Sequence, residues 1–541
     1  MSHRVGDYVR ALIDDVTGEI VGFRTPADED QLFVDADDLA ASTGSTLVGH
    51  IASGTGAVAT TVQAVEREVV SITGYAANGV SGVAVDPAGS VSSALGIQAA
   101  LNAGAGYVYA PTGTFQVQSA VSIPAGVRLV GAGQRATTFR LTASGFDGFT
   151  LSGDSSEISD CAISAASART SGAHVKAAAS KRSQKVNRCL VVNAYRGVVV
   201  ADGCVITSIV GCEFLNTKPT TGVCIEVQGG NDTFITRCVG DGPAGSGNEP
   251  AAGIRITKTG AVWLTDIDFI RCGNGLEVVP DNGDECTWIF GVNAAFDSSE
   301  VGSGVHIRPT NGGKVKAFQQ IGLWCATNIN GVNIDTDADA ASLVDGVYLE
   351  SPRLFNNQQY GLLHNGGTKI KNVRLTNPEI TGNSSSSIGT YPGLFFGPNA
   401  ASFYVTGGKS GAQAGFGSSH SYGVVIGAGC SDYTVQGLAV NGNVTGGIAN
   451  SSASAAQGRM KDNPGSKTRY SGVITIPAGA TSLTFAHGMA FIPNMVKVTP
   501  YVTFLGGTDY WVDTPTSTNL KVFLSAALGS DALFYVDAEF V

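Results

Sequence analysis

Short apolar runs that alternate with polar residues fill most of the chain, and one of them recurs. A glycine followed by an alternating apolar tetrad stands at Gly197 (GVVV), Gly222 (GVCI), Gly253 (GIRI), Gly275 (GLEV), Gly304 (GVHI), Gly331 (GVNI), Gly361 (GLLH), Gly393 (GLFF) and Gly423 (GVVI), at spacings of 25, 31, 22, 29, 27, 30, 32 and 30 residues. Between these lies a second element, an apolar position followed five residues later by another: Val186/Val191, Ile209/Phe214, Phe234/Val239, Ile267/Cys272, Leu349/Leu354 and Leu375/Ile380. Two β-patterned elements per period predict a solenoid. One coil cannot bury its own apolar face, so stacked coils supply the core. The expected fold is all-β, a right-handed parallel β-helix over residues 86–455, with the uneven spacing taken up as turn length.

The flanks break the period. Residues 1–60 alternate acidic stretches such as Asp28-Glu29-Asp30 with short apolar pieces and form a small separate module, and 61–85 is a linker that leads into the next domain. From Ser90 to Asn102, Leu95, Ile97, Ala100 and Leu101 predict one amphipathic helix ahead of the β region. Residues 456–470 are polar and contain Asn463-Pro464-Gly465, a second linker. The last segment, 471–541, consists of short alternating strands with turns and predicts a small antiparallel β-sandwich.

Composition narrows the function classes. The 541 residues include 72 glycines, and charged residues make up 14% against an average of about 25%, which excludes a coiled coil or helix-rich protein. Net charge is −11 and there is no basic cluster, so nucleic acid is not an expected partner. No apolar run of about 18 residues predicts a membrane helix, and the first fifteen residues lack the apolar centre of a signal peptide. A chain made in the cytosol is expected. The ten cysteines contain no C-x-x-C element and are expected to be buried, reduced thiols, with Cys189, Cys212 and Cys238 packed as a column.

Residues 97–133, IQAALNAGAGYVYAPTGTFQVQSAVSIPAGVRLVGAG, resemble the opening of the pectate-lyase-like β-helix of bacteriophage tailspikes, where a capping helix precedes the first rung. The stretch 7–70 is similar to the particle-binding module and neck of such spikes, and the C-terminal block to the sandwich that ends many tail fibres. The resemblance implies a homotrimer that joins the phage tail or baseplate through residues 1–60. It further implies a location in the virion after assembly in the host cytoplasm, and recognition and depolymerisation of a bacterial capsule or O-antigen. The enzyme would be an endo-glycosidase or a polysaccharide lyase; a non-catalytic tail-fibre adhesin and a free bacterial lyase are the alternatives.

No nucleotide motif survives inspection. Asp335-x-Asp337-x-Asp339 starts like a calcium loop but lacks the required glycine and terminal glutamate, so neither metal nor cofactor is expected. Registering coils on Ile267, Val292, Leu323, Leu349 and Leu375 as inward residues gives two outward columns. One runs Asp268, Asn293, Trp324, Glu350, Thr376 and the other Asp266, Gly291, Gly322, Tyr348, Arg374. Trp324 and Tyr348 suit stacking on sugars or contact with a neighbouring subunit, and Asn293, Glu350 and Arg374 would bind substrate beside them. Asp266 and Asp268, two residues apart on one strand face, would have Cα atoms about 6.6 Å apart, compatible with an inverting pair of carboxyls. A third column stacks Arg255, Glu277 and His306, either as a surface ion-pair ladder or as an alternative site for catalysis or uronate binding.

Overall fold

The computed structural model describes residues 68–541 except 104–105, 246, 414, 416–419, 453–457, 502–507 and 540–541. Nearer the N-terminus it describes the backbone of four short strands, Arg10–Ile13 paired antiparallel with Ile20–Arg24 and Gly49–Ile51 with Ala59–Thr61. The remainder of the stretch 1–60 lies outside the described residues.

From Val69 to Lys461 the strands join in one 36-stranded ladder, paired in parallel as each coil lies on the next. This parallel β-helix takes in Val69–Ser71 and Gly458–Lys461, which fall within the stretches that composition assigns to linkers. The helix Ala94–Asn102 caps its first coils. Ile97, Ala100 and Leu101 face inward, Leu95 is exposed, and Gln98 bonds both backbone groups of Ser122 at 2.7 and 2.9 Å.

Each coil has three faces. The recurring glycines lie in one, where Val175, Val198, Ile225, Ile254, Leu276, Val305, Val332, Leu362, Leu394, Val424 and Ile448 stack inward in register. The residue before each forms its own column, and Cys224 occupies it where the repeat suggests Gly222. Glycine is needed there because the face comes closest to the opposite wall of its own coil. A Cβ on Gly253 would stand 2.7 Å from the Phe269 ring, and one on Gly361 would stand 2.6 Å from Ile380.

The other two faces meet at a corner formed by one left-handed residue per coil. Arg237, Asp266, Asn293, Gly322, Ser351, Asn377 and Gly407 all have φ between 48° and 66° and lie one above another. Such a residue resets side-chain alternation, which corrects the expected register. Val292 points out and is 40% exposed, and Ile321 above it is 39% exposed. The five-residue pairs straddle this corner, except Ile267/Cys272, which are both buried but follow it; at Phe234/Val239 the buried pair is instead Ile235/Gly240.

The interior is apolar, with Phe269 and Phe296 in register and Cys161, Cys189, Cys212 and Cys238 stacked as buried thiols. Beside it runs a ladder of buried asparagines. Asn328, Asn357 and Asn383 each accept a backbone N–H from the coil before at 3.0 Å, and each donates its amide to a carbonyl, of Phe296, Cys325 and Leu354.

Past the ladder, two three-stranded antiparallel sheets form the C-terminal β-sandwich. Arg469–Ile476, Ala532–Glu539 and Met495–Pro500 make one, and Ser482–Ala486, Asn519–Leu524 and Tyr510–Val512 the other. Alternation buries Phe534, Val536 and Ala538 against Leu520, Val522 and Leu524, and Tyr510 reaches Phe534 across the sheets at 5.3 Å between ring centres.

Candidate functional site

A hollow of about 560 Å³ opens on the glycine-bearing face over three coils. Its floor is the outward column two residues after the glycine column: Arg255, Glu277, His306 and Asn333, in register, with Glu226 preceding them. Charges alternate along this column because adjacent coils bring side chains within bonding reach. Arg255 Nε pairs with Glu277 Oε2, whose other oxygen accepts from Asn274 Nδ2 at 3.2 Å. Arg196 pairs with Glu226 at 2.6 Å, and His306 Nε2 lies 3.5 Å from Asp335.

The wall comes from Gly247, Glu249, Pro250 and Ala251, tied to the coil where Gly273 and Asn274 donate to the carbonyls of Pro250 and Ala251. It sets Glu249 into the hollow. This side chain is 3% exposed; Oε1 accepts the Glu300 N–H at 2.7 Å, while Oε2 has no hydrogen-bond partner among the described residues. Burial pushes the Glu249 carboxyl up from its usual range, against the backbone N–H groups of Glu300 and Val301, which favour its charged form. One buried carboxyl that resists ionisation thus shares a hollow with one held in an ion pair, the division of roles that acid and base catalysis requires.

The remaining expected residues are distributed over the other two faces. Asp266 is the corner residue of its coil and accepts from Asn293 Nδ2, the next corner, at 3.0 Å. Asn293 therefore leaves the Asp268 column, which runs Asp268, Ala295, Trp324, Arg353, Glu379. Asp268 is exposed, yet partial desolvation and then the charges of Asp297 and Asp241 raise its carboxyl. Trp324 packs edge-on against Phe355 and lines a hollow of about 220 Å³ with Arg353 and Glu379, which pair at 3.1 Å. Glu350 stands across the corner in the column of Val292, Ile321 and Thr376.

Tyr348 and Arg374 are indeed neighbours in one column, which continues to Tyr404, with the guanidinium 5.5 and 5.4 Å from the two ring centres. Earlier in this column the corrected register brings Phe290 and Gln319 in place of Gly291 and Gly322, and it reveals an outward aromatic stack, Phe234, Trp263 and Phe290, joined by Trp288. Its spacing of 29 and 27 residues matches the coil period and was the signal available in the sequence. Glu249 had a weaker one, a lone acid in the Gly/Pro-rich insertion GPAGSGNEP within the longest early coil.

Among the described residues no group of three or more His, Cys, Asp or Glu is placed to hold a metal ion, and no helix is long and apolar enough to cross a membrane. Asp337 serves a turn, accepting the Asn311 N–H at 2.7 Å.

Residues 80–303 match the family described as rhamnogalacturonase A/epimerase, pectate lyase-like. Over these residues the chain is similar to a pectate-lyase-like β-helix. Among solved structures, a mutant tailspike protein of E. coli bacteriophage HK620 superposes with a TM-score of 0.53 at 12% identity, covering 93% of this chain and 98% of that one. A second mutant of the same tailspike, in complex with a pentasaccharide, gives 0.50 at 12% identity over 93% and 99%. The architecture is that of these phage tailspikes. No curated protein matches the sequence.

Proposed function

We propose that this protein is a phage tailspike that binds a bacterial surface polysaccharide and cuts it in the cleft between Glu249 and the Arg255–Glu277 pair. The observation that carries the reading is the pairing, in one 560 Å³ hollow, of a buried carboxyl with a free oxygen and a carboxylate fixed by an arginine. Hydrolysis divides between them. Glu249 gives its proton to the departing glycosidic oxygen, Glu277 takes a proton from water, and the resulting hydroxyl adds to the anomeric carbon. The likeness to a tailspike that holds a pentasaccharide supports a glycan ligand.

In the same reading the chain is a homotrimer in the virion, attached to the tail through residues 1–60, and the exposed Trp263 and Trp288, stacked with the half-buried Phe290, suit contact with a second copy. Incubation of the purified protein with host capsule or O-antigen tests the activity by the appearance of new reducing ends. Binding without new ends means a non-catalytic adhesin. Loss of turnover in Asp266→Asn and Asp268→Asn with Glu249→Gln fully active would move the chemistry to the Asp pair.

A further inference from the structure

The cleft's charges carry information about the sugar that fits it. Among the described residues lining it, Arg255 is the only arginine or lysine, and its charge is neutralised by Glu277. The nearby guanidiniums are occupied in the same way, Arg196 by Glu226 and Arg308 by Asp335 at 3.6 Å. Two buried oxygens in the hollow have no partner, Glu249 Oε2 and Asn333 Oδ1. The Asn333 oxygen calls for a ligand donor, which a sugar hydroxyl or amide N–H supplies, while the protonated Glu249 carboxyl offers its hydrogen to a sugar oxygen. A sugar carboxylate brings further acceptors and a negative charge, and His306, the one other group of the lining that could receive it, already faces Asp335 at 3.5 Å. Pro250, Ala251, Val301 and Ile329 add apolar surface, which suits the C–H face of a hexose or an acetamido methyl.

We propose that the cleft takes a stretch of uncharged sugar, a neutral or N-acetylated hexose, and rejects sugars that carry a carboxylate. This rests on the glycan reading of the cleft and names its substrate class. The Arg255–Glu277 pair then acts as the selectivity element, because Glu277 keeps the arginine from serving as a uronate receptor.

The test uses the full-length protein and two matched oligosaccharides, of galactose and of galacturonic acid, which differ in the oxidation state of C6. Affinities are measured by titration for wild type, Glu277→Gln and Asn333→Lys. The expected result is a preference for the galactose oligomer of about tenfold or more in wild type, narrowed by about tenfold when Glu277→Gln releases Arg255 or Asn333→Lys adds a free cation. If wild type holds neither oligomer, the variants decide, and acquisition of galacturonate binding supports the proposal. A wild type that prefers galacturonate, or folded variants with an unchanged ratio, overturns it. Cleavage is read separately from reducing ends. Intact cleavage with a reversed preference sinks this inference alone, and the expected preference without cleavage of any host glycan sinks only the hydrolase reading.

Discussion

Gly275 lies directly under Phe296 across the interior of its own coil, so close that a Cβ atom would stand 2.5 Å from the Cβ of the phenylalanine and 2.7 Å from the Gly304 carbonyl oxygen. The repeat glycines are thus a packing requirement. Gly275→Ala should destabilise the β-helix by about 1–3 kcal/mol through overpacking, read as a lower denaturant midpoint. Cys224→Gly, which restores the repeat residue at a position where that column departs from glycine, should leave the fold intact and lose only the thiol's packing.

The asparagine ladder predicts a cost of a different kind. Asn357→Ala removes the acceptor for the Asn328 N–H and the donor to the Cys325 carbonyl, both buried. Each orphaned group costs about 1–3 kcal/mol. A melting temperature lowered more than by an exposed substitution such as Ser386→Ala is the expected outcome, and equal effects would show that the ladder adds nothing.

Three buried histidines set a dependence on pH. Burial lowers His364 and His420 to about 4 and His174 to about 3, whereas an unfolded histidine titrates near 6.5. Below about pH 6.5 the unfolded chain therefore binds protons that the folded chain refuses. Stability is complete above that pH and falls as pH drops towards 4, by at most about 1.4 kcal/mol per pH unit for each histidine. His364 sits in an inward column between Ile334 and Phe396, so His364→Leu should keep the fold and flatten the slope of melting temperature between pH 6.5 and 4.5.

For the proposed chemistry, Glu249→Gln and Glu277→Gln should each lower turnover by about a hundredfold or more, with the oligomer and the melting temperature largely unchanged. Raising the pH should abolish activity as the Glu249 carboxyl ionises, and its elevated titration moves that limb above the ordinary carboxylate range. A pH profile of initial rates checks this. Full activity in Glu249→Gln would falsify its role as the acid.

The coil period was legible because Gly275 and its equivalents are imposed by the opposite wall, and chemistry that only glycine satisfies repeats visibly. The capping helix and the C-terminal strands were legible through periods of 3.6 and 2. The register of the two other faces was not, because Asp266 and Asn293 look like ordinary outward strand residues while their backbone turns left-handed and shifts every following side chain. Trp263 and Phe290 were hidden by the same shift. Glu249 escaped notice for another reason: its properties come from burial under an excursion whose path no local pattern specifies. The alternating charges of Arg255, Glu277 and His306 survived because they lie on the face that the glycines register.

Since the strands of each coil pair only with strands of the coils on either side, a change in one excursion leaves the backbone ladder of the rest of the column in place. The residues beside Glu249 in the wall of the cleft, Gly247, Pro250 and Ala251, are therefore exchangeable parts mounted on a fixed frame. They can be rewritten while the scaffold and the acid itself are retained. Comparison of related chains should find divergence concentrated there and the glycine column at Gly253, Gly275 and Gly304 held still.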